Sequence, residues 1–123
     1  MKKLIRWEKK IDPEHIDAAL GYLRLLFKKS KVKDIEQKLK QFSSNLTYHK
    51  AADLIRASSS QITPVTQKDV ASQLQKIILK KPLQPIIIIT SGEKLYIADG
   101  YHRICACYNI DDEIEIAAVQ IEI

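Results

Sequence analysis

The chain has 123 residues, 46% of them apolar and 28% charged, and carries a net charge of +5. That balance excludes a disordered chain, and the length allows a single domain, residues 1–123, rather than two. The longest aliphatic run, residues 86–89, is far short of the roughly 20 apolar residues of a membrane span, and the opening MKKLIRWEKKID lacks a signal peptide's apolar centre, so a cytoplasmic protein without a membrane partner is expected.

The positive charge is N-terminal. Residues 1–50 hold 13 Lys and Arg against 6 Asp and Glu, a net +7, while residues 51–123 hold 7 against 9, a net −2. Such an excess can attract nucleic acid or another polyanion, and it can equally be the solvated face of lysine-rich helices. Only two arginines precede residue 50 and no aromatic ladder accompanies the lysines, so neither bidentate base reading nor base stacking is signalled.

The segment IDPEHIDAALGYLRLLFKK predicts a helix with Asp12 as N-cap and Pro13 at the first helical position. Its apolar face is Ile16, Ala19, Leu20, Leu23 and Phe27. KVKDIEQKLKQF repeats the pattern with Val32, Ile35, Leu39 and Phe42, giving an N-terminal helical hairpin. Two such apolar faces must bury against the rest of the domain or form a homodimer contact. A short helix capped by Thr47 is predicted over YHKAADLIRAS, and a longer one capped by Thr66 and ended by Pro82 over QKDVASQLQKIILKK.

The β-branched run IIIIT reads as a strand buried on both faces, with SGEK as the turn to a second strand, LYIA. YHRICACY then has helical character, and the alternation of Ile114, Ile116, Val119, Ile121 and Ile123 predicts a last strand with one solvated face. The fold class is α+β, with residues 1–50 a helical extension and residues 51–123 the core. Cys105 and Cys107 lie two apart on the helix, point in different directions and read as reduced core thiols.

The chemistry concentrates at residues 99–103. Gly100 falls at a strand-to-helix turn, where the first backbone N–H groups lack intrahelical partners and suit an anion. Without a Cβ, Gly100 lets the backbone approach a ligand. His102 can donate a hydrogen bond, and Arg103 can grip two phosphate oxygens at once. The same residues also read structurally: Asp99 as the helix N-cap, Gly100 as a turn residue, His102 as a surface side chain, and Arg103 as the partner of Asp99 or Asp53. Arg56 with the three serines after it offers oxygen and guanidinium contacts, or an ordinary helix end. His15 and His49 lack partners at metal spacing.

The stretch KKPLQPIIIITSGEKLYIADGYHRICACYNI, with DLIRASSS and VASQLQKI before it, resembles the ParB/sulfiredoxin-like superfamily of nucleotide-binding domains over about residues 51–121. The resemblance implies a small mixed sheet with flanking helices, on which the hairpin packs. It implies a nucleotide or phosphate site at Gly100, Tyr101, His102 and Arg103, joined by Arg56, Ser72 and Lys76. It also implies a nucleoside triphosphate or diphosphate as ligand, with magnesium, and offers Asp99 as a base or metal contact. Tyr101 stands where sulfiredoxins carry their reactive cysteine, which rules out that sulfur chemistry. Tyr101 and His102 also replace the Glu-Arg of the usual ParB box. Two further readings stand beside nucleotide binding: a nucleic-acid-associated accessory protein, DNA-binding or nuclease-like, and a protein-interaction module without chemistry.

Overall fold

The structure, a computed structural model, describes residues 5–123 and is α+β. In chain order the described elements are α1 (Pro13–Leu23), α2 (Lys29–Gln41), β1 (Thr47–Lys50), α3 (Ala51–Ala57), α4 (Lys68–Ile78), β2 (Ile86–Ser91), β3 (Lys94–Asp99), α5 (Tyr101–Ile110) and β4 (Glu115–Glu122). The strands form one four-stranded mixed sheet in the order β1-β4-β2-β3. β2 and β3 are an antiparallel hairpin turning at Gly92, β2 and β4 run parallel, and β1 is antiparallel to β4.

Helices cover both faces of the sheet. Successive residues of a strand point to opposite sides, and the isoleucine run of β2 shows the result. Ile87 and Ile89 join Val119, Ile121 and Ala98 against Ile16, Leu20 and Leu23 of α1 and Val32, Ile35 and Leu39 of α2. Ile86 and Ile88 join Ile116 and Ala118 against Leu54, Val70, Ile77, Ile104, Cys105 and Cys107 of α3, α4 and α5. Both cysteines are free and buried. The hairpin of α1 and α2 is therefore one of the two outer layers of the fold.

Four expectations are corrected. β4 does not keep one solvated face: it lies between β1 and β2, and Ile116, Ala117, Ala118 and Val119 are all buried. Alternation survives only toward its end, where Gln120 and Glu122 are exposed and Ile121 between them stays buried against α1 and α2. Thr47 caps no helix but opens β1, where it pairs with Ala118; α3 begins at Ala51 after Lys50. The cap of α4 is Gln67 and not Thr66, its side chain accepting from the Val70 N–H at 2.9 Å. Finally, Pro82 does not end α4.

That helix closes earlier with a pair of backbone bonds, Lys80 N–H to Ile77 C=O and Lys81 N–H to Lys76 C=O, around Lys80 at φ +60°. This is a Schellman ending, whose left-handed residue is usually glycine. α3 ends the same way around Ser59, at φ +56°, with Ser59 bonded to Arg56 C=O and Ser60 to Ile55 C=O.

The start of α1 follows its sequence signals, with Asp12 at the N-cap position and Pro13 first in the helix. The Asp12 N–H donates to Gln84 Oε1 at 2.9 Å. A short parallel bridge pairs Trp7 with Leu83. Together these contacts fix the N-terminal segment beside residues 82–84. No helix among the described residues is long and apolar enough to cross a membrane.

Candidate functional site

β3 ends at Asp99 and α5 begins at Tyr101, so the turn between them is the single residue Gly100, at φ +108° and ψ 14°. Gly100 is the N-cap of α5, correcting the assignment of that role to Asp99. Its lack of a Cβ is required by packing. A Cβ there would stand 2.8 Å from Cβ of Ile86 and 2.9 Å from Nη2 of Arg103.

Asp99 is occupied in another way. Its Oδ2 accepts from Arg103 Nη2 at 2.7 Å and from His15 Nδ1 at 3.0 Å. Arg103 is the one buried charged residue among those described, at 5% exposure. Of the two partners the sequence allowed it, Asp99 is found; Asp53 is bonded instead by exposed Arg56 at 2.8 Å. A carboxylate only accepts hydrogen bonds, so Nδ1 of His15 is the donor to Asp99. Nε2 lies 4.0 Å from the exposed carboxylate of Glu14.

A cavity of about 210 Å³ opens at this junction. Residues 99–103 form one wall, Gln73 and Lys76 of α4 a second, and His15 with residues 82–84 the rest. Of the site residues expected from sequence, Asp99, Gly100, Tyr101, His102, Arg103 and Lys76 line it together. Ser72 is exposed on α4 and outside it, and Arg56 lies on α3, also outside it. The serines after Arg56 contribute elsewhere: Ser58 and Ser60, whose hydroxyls are 2.8 Å apart, line a second cavity of about 280 Å³ with Tyr22, Tyr96 and Tyr101.

Beside residues 82–84, two cavity side chains that bear on its chemistry, His15 and Gln73, were not expected from the sequence. His15 flanks the apolar stripe of α1, one turn before buried Ala19, and this position was its only signal. Gln73 occupies an apolar phase of α4, three residues after buried Val70 and four before buried Ile77. Its Oε1 is buried without a hydrogen-bond partner among the described residues. An unpaired buried polar atom costs about 1–3 kcal/mol, and rotation of the amide exchanges its acceptor and donor ends.

Tyr101 faces both cavities, and its hydroxyl is held by Thr63 Oγ1 at 2.8 Å and by the Gln61 carbonyl. Burial is the main cause that raises its phenol above the ordinary range. Burial likewise pushes the Cys107 thiol up to about 12, against a smaller lowering by the Arg103 charge. A thiol so placed is no nucleophile at neutral pH.

Among the described residues no group of three His, Cys, Asp or Glu side chains can hold a metal ion. The residues at hand do not fit magnesium, which demands several oxygen ligands in octahedral array. Asp99 is the only carboxylate lining the cavity, and its Oδ2 is committed to Arg103 and His15. The lysines of α2 are partly paired along their own helix, Lys38 with Asp34 and Lys40 with Glu36. No protein-family model matches the chain, and neither does any curated protein or solved structure.

Proposed function

We propose that the chain is a ParB/sulfiredoxin-like domain that binds a nucleotide or another phosphate-bearing ligand in the cavity at the start of α5. One observation carries the reading: Lys76, His102, Arg103 and Gln73, whose Oε1 is buried without a partner among the described residues, line one cavity with the first turn of a ten-residue helix. The helix end supplies N–H donors and a partial positive charge. Lys76 supplies a full charge from the neighbouring helix, and His102 a further donor. Asp99 orients Arg103 through Nη2, while Nη1 and Nε have no hydrogen-bond partner among the described residues. The chemistry assigned is binding and orientation, with no bond made or broken.

A thermal-shift panel of nucleoside mono-, di- and triphosphates, inorganic phosphate and pyrophosphate tests this reading, followed by calorimetry on the best ligand. A compact anion should raise the melting temperature, and Lys76→Ala should weaken its binding by about tenfold, the loss of one charge-assisted contact. Failure of every phosphate compound to shift the wild-type chain would refute the reading. Salt separates it from binding to a nucleic-acid backbone: affinity for DNA through several phosphates falls steeply with salt, and affinity for one enclosed ligand changes little.

A further inference from the structure

The oxygen Oδ2 of Asp99 serves two donors, Arg103 Nη2 at 2.7 Å and His15 Nδ1 at 3.0 Å. His15 comes from α1, outside the segment on which the phosphate-site reading was built. With His15 neutral, the Asp99 carboxylate is answered by Arg103 alone, and the guanidinium charge is neutralised before any ligand arrives. We infer that the cavity takes up its anion together with one proton, and that the proton resides on His15; this rests on the phosphate-binding reading above.

An imidazolium at His15 answers Asp99 from the α1 side. Arg103 then presents an uncompensated positive charge beside Lys76, in a cavity that Arg103 and Lys76 both line. Linkage makes the effect reciprocal, so that an anion favours the imidazolium by the same factor by which the imidazolium favours the anion.

The charged and titratable groups around His15 fit this assignment. Glu14, on its own helix, is 4.0 Å from Nε2 but 82% exposed, so solvent screens it. Asp99 of β3 is 17% exposed and in direct contact. Lys76 of α4 and His102 and Arg103 of α5 complete the cavity wall. His102 has no carboxylate partner among the described residues. A proton there would add charge without freeing Arg103.

The probe is sulfate, which does not itself titrate near neutral pH. Calorimetry of sulfate binding to the full chain, in buffers of different ionisation enthalpy, counts the protons taken up. The wild type should take up a proton, and its sulfate affinity should fall with rising pH by up to about tenfold per pH unit. His15→Gln, which keeps a donor to Asp99 and cannot titrate, should take up none and lose the dependence. His102→Gln, which removes one proposed contact, should bind sulfate more weakly while each anion that still binds brings the same proton and the same pH dependence. Equal uptake in His15→Gln, or uptake abolished by His102→Gln, would overturn the inference while leaving phosphate binding in place. A wild-type chain that binds no sulfate at any pH would remove the phosphate reading itself, and this inference with it. Ring-nitrogen NMR on the wild type reads the same step without a variant: sulfate at fixed pH should convert His15 from the Nδ1–H form to the imidazolium, and an unchanged ring would refute the assignment.

Discussion

Asp99 and Arg103 are joined across the strand-to-helix junction, Nη2 donating to Oδ2 at 2.7 Å from a side chain only 6% exposed. The pair spans the one-residue turn at Gly100 and so ties β3 to α5. Removing one partner of a buried charge pair leaves the other uncompensated. Arg103→Ala should therefore cost about 2–3 kcal/mol of stability as well as ligand affinity. Chemical denaturation of Arg103→Gln, Asp99→Asn and the double variant should give a coupling of at least ~1 kcal/mol. Additive losses would show that the pair is not energetically joined.

Gly100→Ala should be among the most damaging small substitutions in the chain. Its φ of +108° is strained for any residue with a Cβ, and that Cβ would press on Ile86, which is fully buried in the sheet. A loss of more than ~2 kcal/mol in denaturant unfolding is expected. A Gly100→Ala chain as stable as the parent would mean that the junction relaxes freely.

Lys80→Gly should act in the opposite direction. Lys80 holds the left-handed position of the Schellman ending of α4, at φ +60°. Glycine accepts that conformation without a Cβ penalty, so the melting temperature should rise, with a gain of up to about 1 kcal/mol. A decrease would show that the Lys80 side chain contributes more than its backbone strain costs.

Cys107 carries a pH prediction. Its folded-state thiol, pushed up to about 12 from an ordinary 9.0 by burial, favours the protonated form in the native state. That contribution is complete below pH 9 and is lost as pH rises from 9 to about 12, because the unfolded chain releases its proton first. Cys107→Ala should flatten the alkaline fall in stability. A maleimide should label Cys107 in the native chain at pH 7 only as fast as the chain opens; rapid labelling would place the thiol at the surface.

The hairpin of α1 and α2 is a layer of the fold, so its removal should be catastrophic. A fragment of residues 51–123 loses β1 and the cover over Ile87, Ile89, Ala98, Val119 and Ile121. It should be insoluble or molten, with collapsed amide dispersion by NMR. A well-dispersed spectrum from that fragment would contradict the layered core.

What the sequence disclosed followed the range of each signal. The start of α1 was legible because Pro13 presets the backbone of the first helical position, although the Asp12 side chain makes no capping hydrogen bond, and the β2–β3 hairpin because the isoleucines, Gly92 and LYIA are contiguous. The strand-to-helix position of residues 99–103 was local as well. β1 was not: TYHK has no strand pattern of its own and is extended because β4 pairs with it. Ser72 was named only through the family resemblance, while Gln73, a polar residue in an apolar helical phase, gives no local sign of the cavity it lines. His15 and Asp99 are 84 residues apart, and only the packing of α1 on β3 brings them together.

The placement of β4 governs when this protein can fold during its own synthesis. β1 has no other neighbour in the sheet, and its Thr47 meets Ala118, a residue made 71 positions later. β2 also waits for β4 as its parallel partner. While the ribosome is still adding residues 51–114, the nascent chain therefore carries an unmatched β1 edge and half-covered isoleucines in β2. Only helices and the β2–β3 hairpin can form locally before β4 arrives. The arrival of β4 then closes the middle of the sheet, so a translation product that stops before residue 115 should be held by chaperones or degraded rather than persist as a smaller folded form.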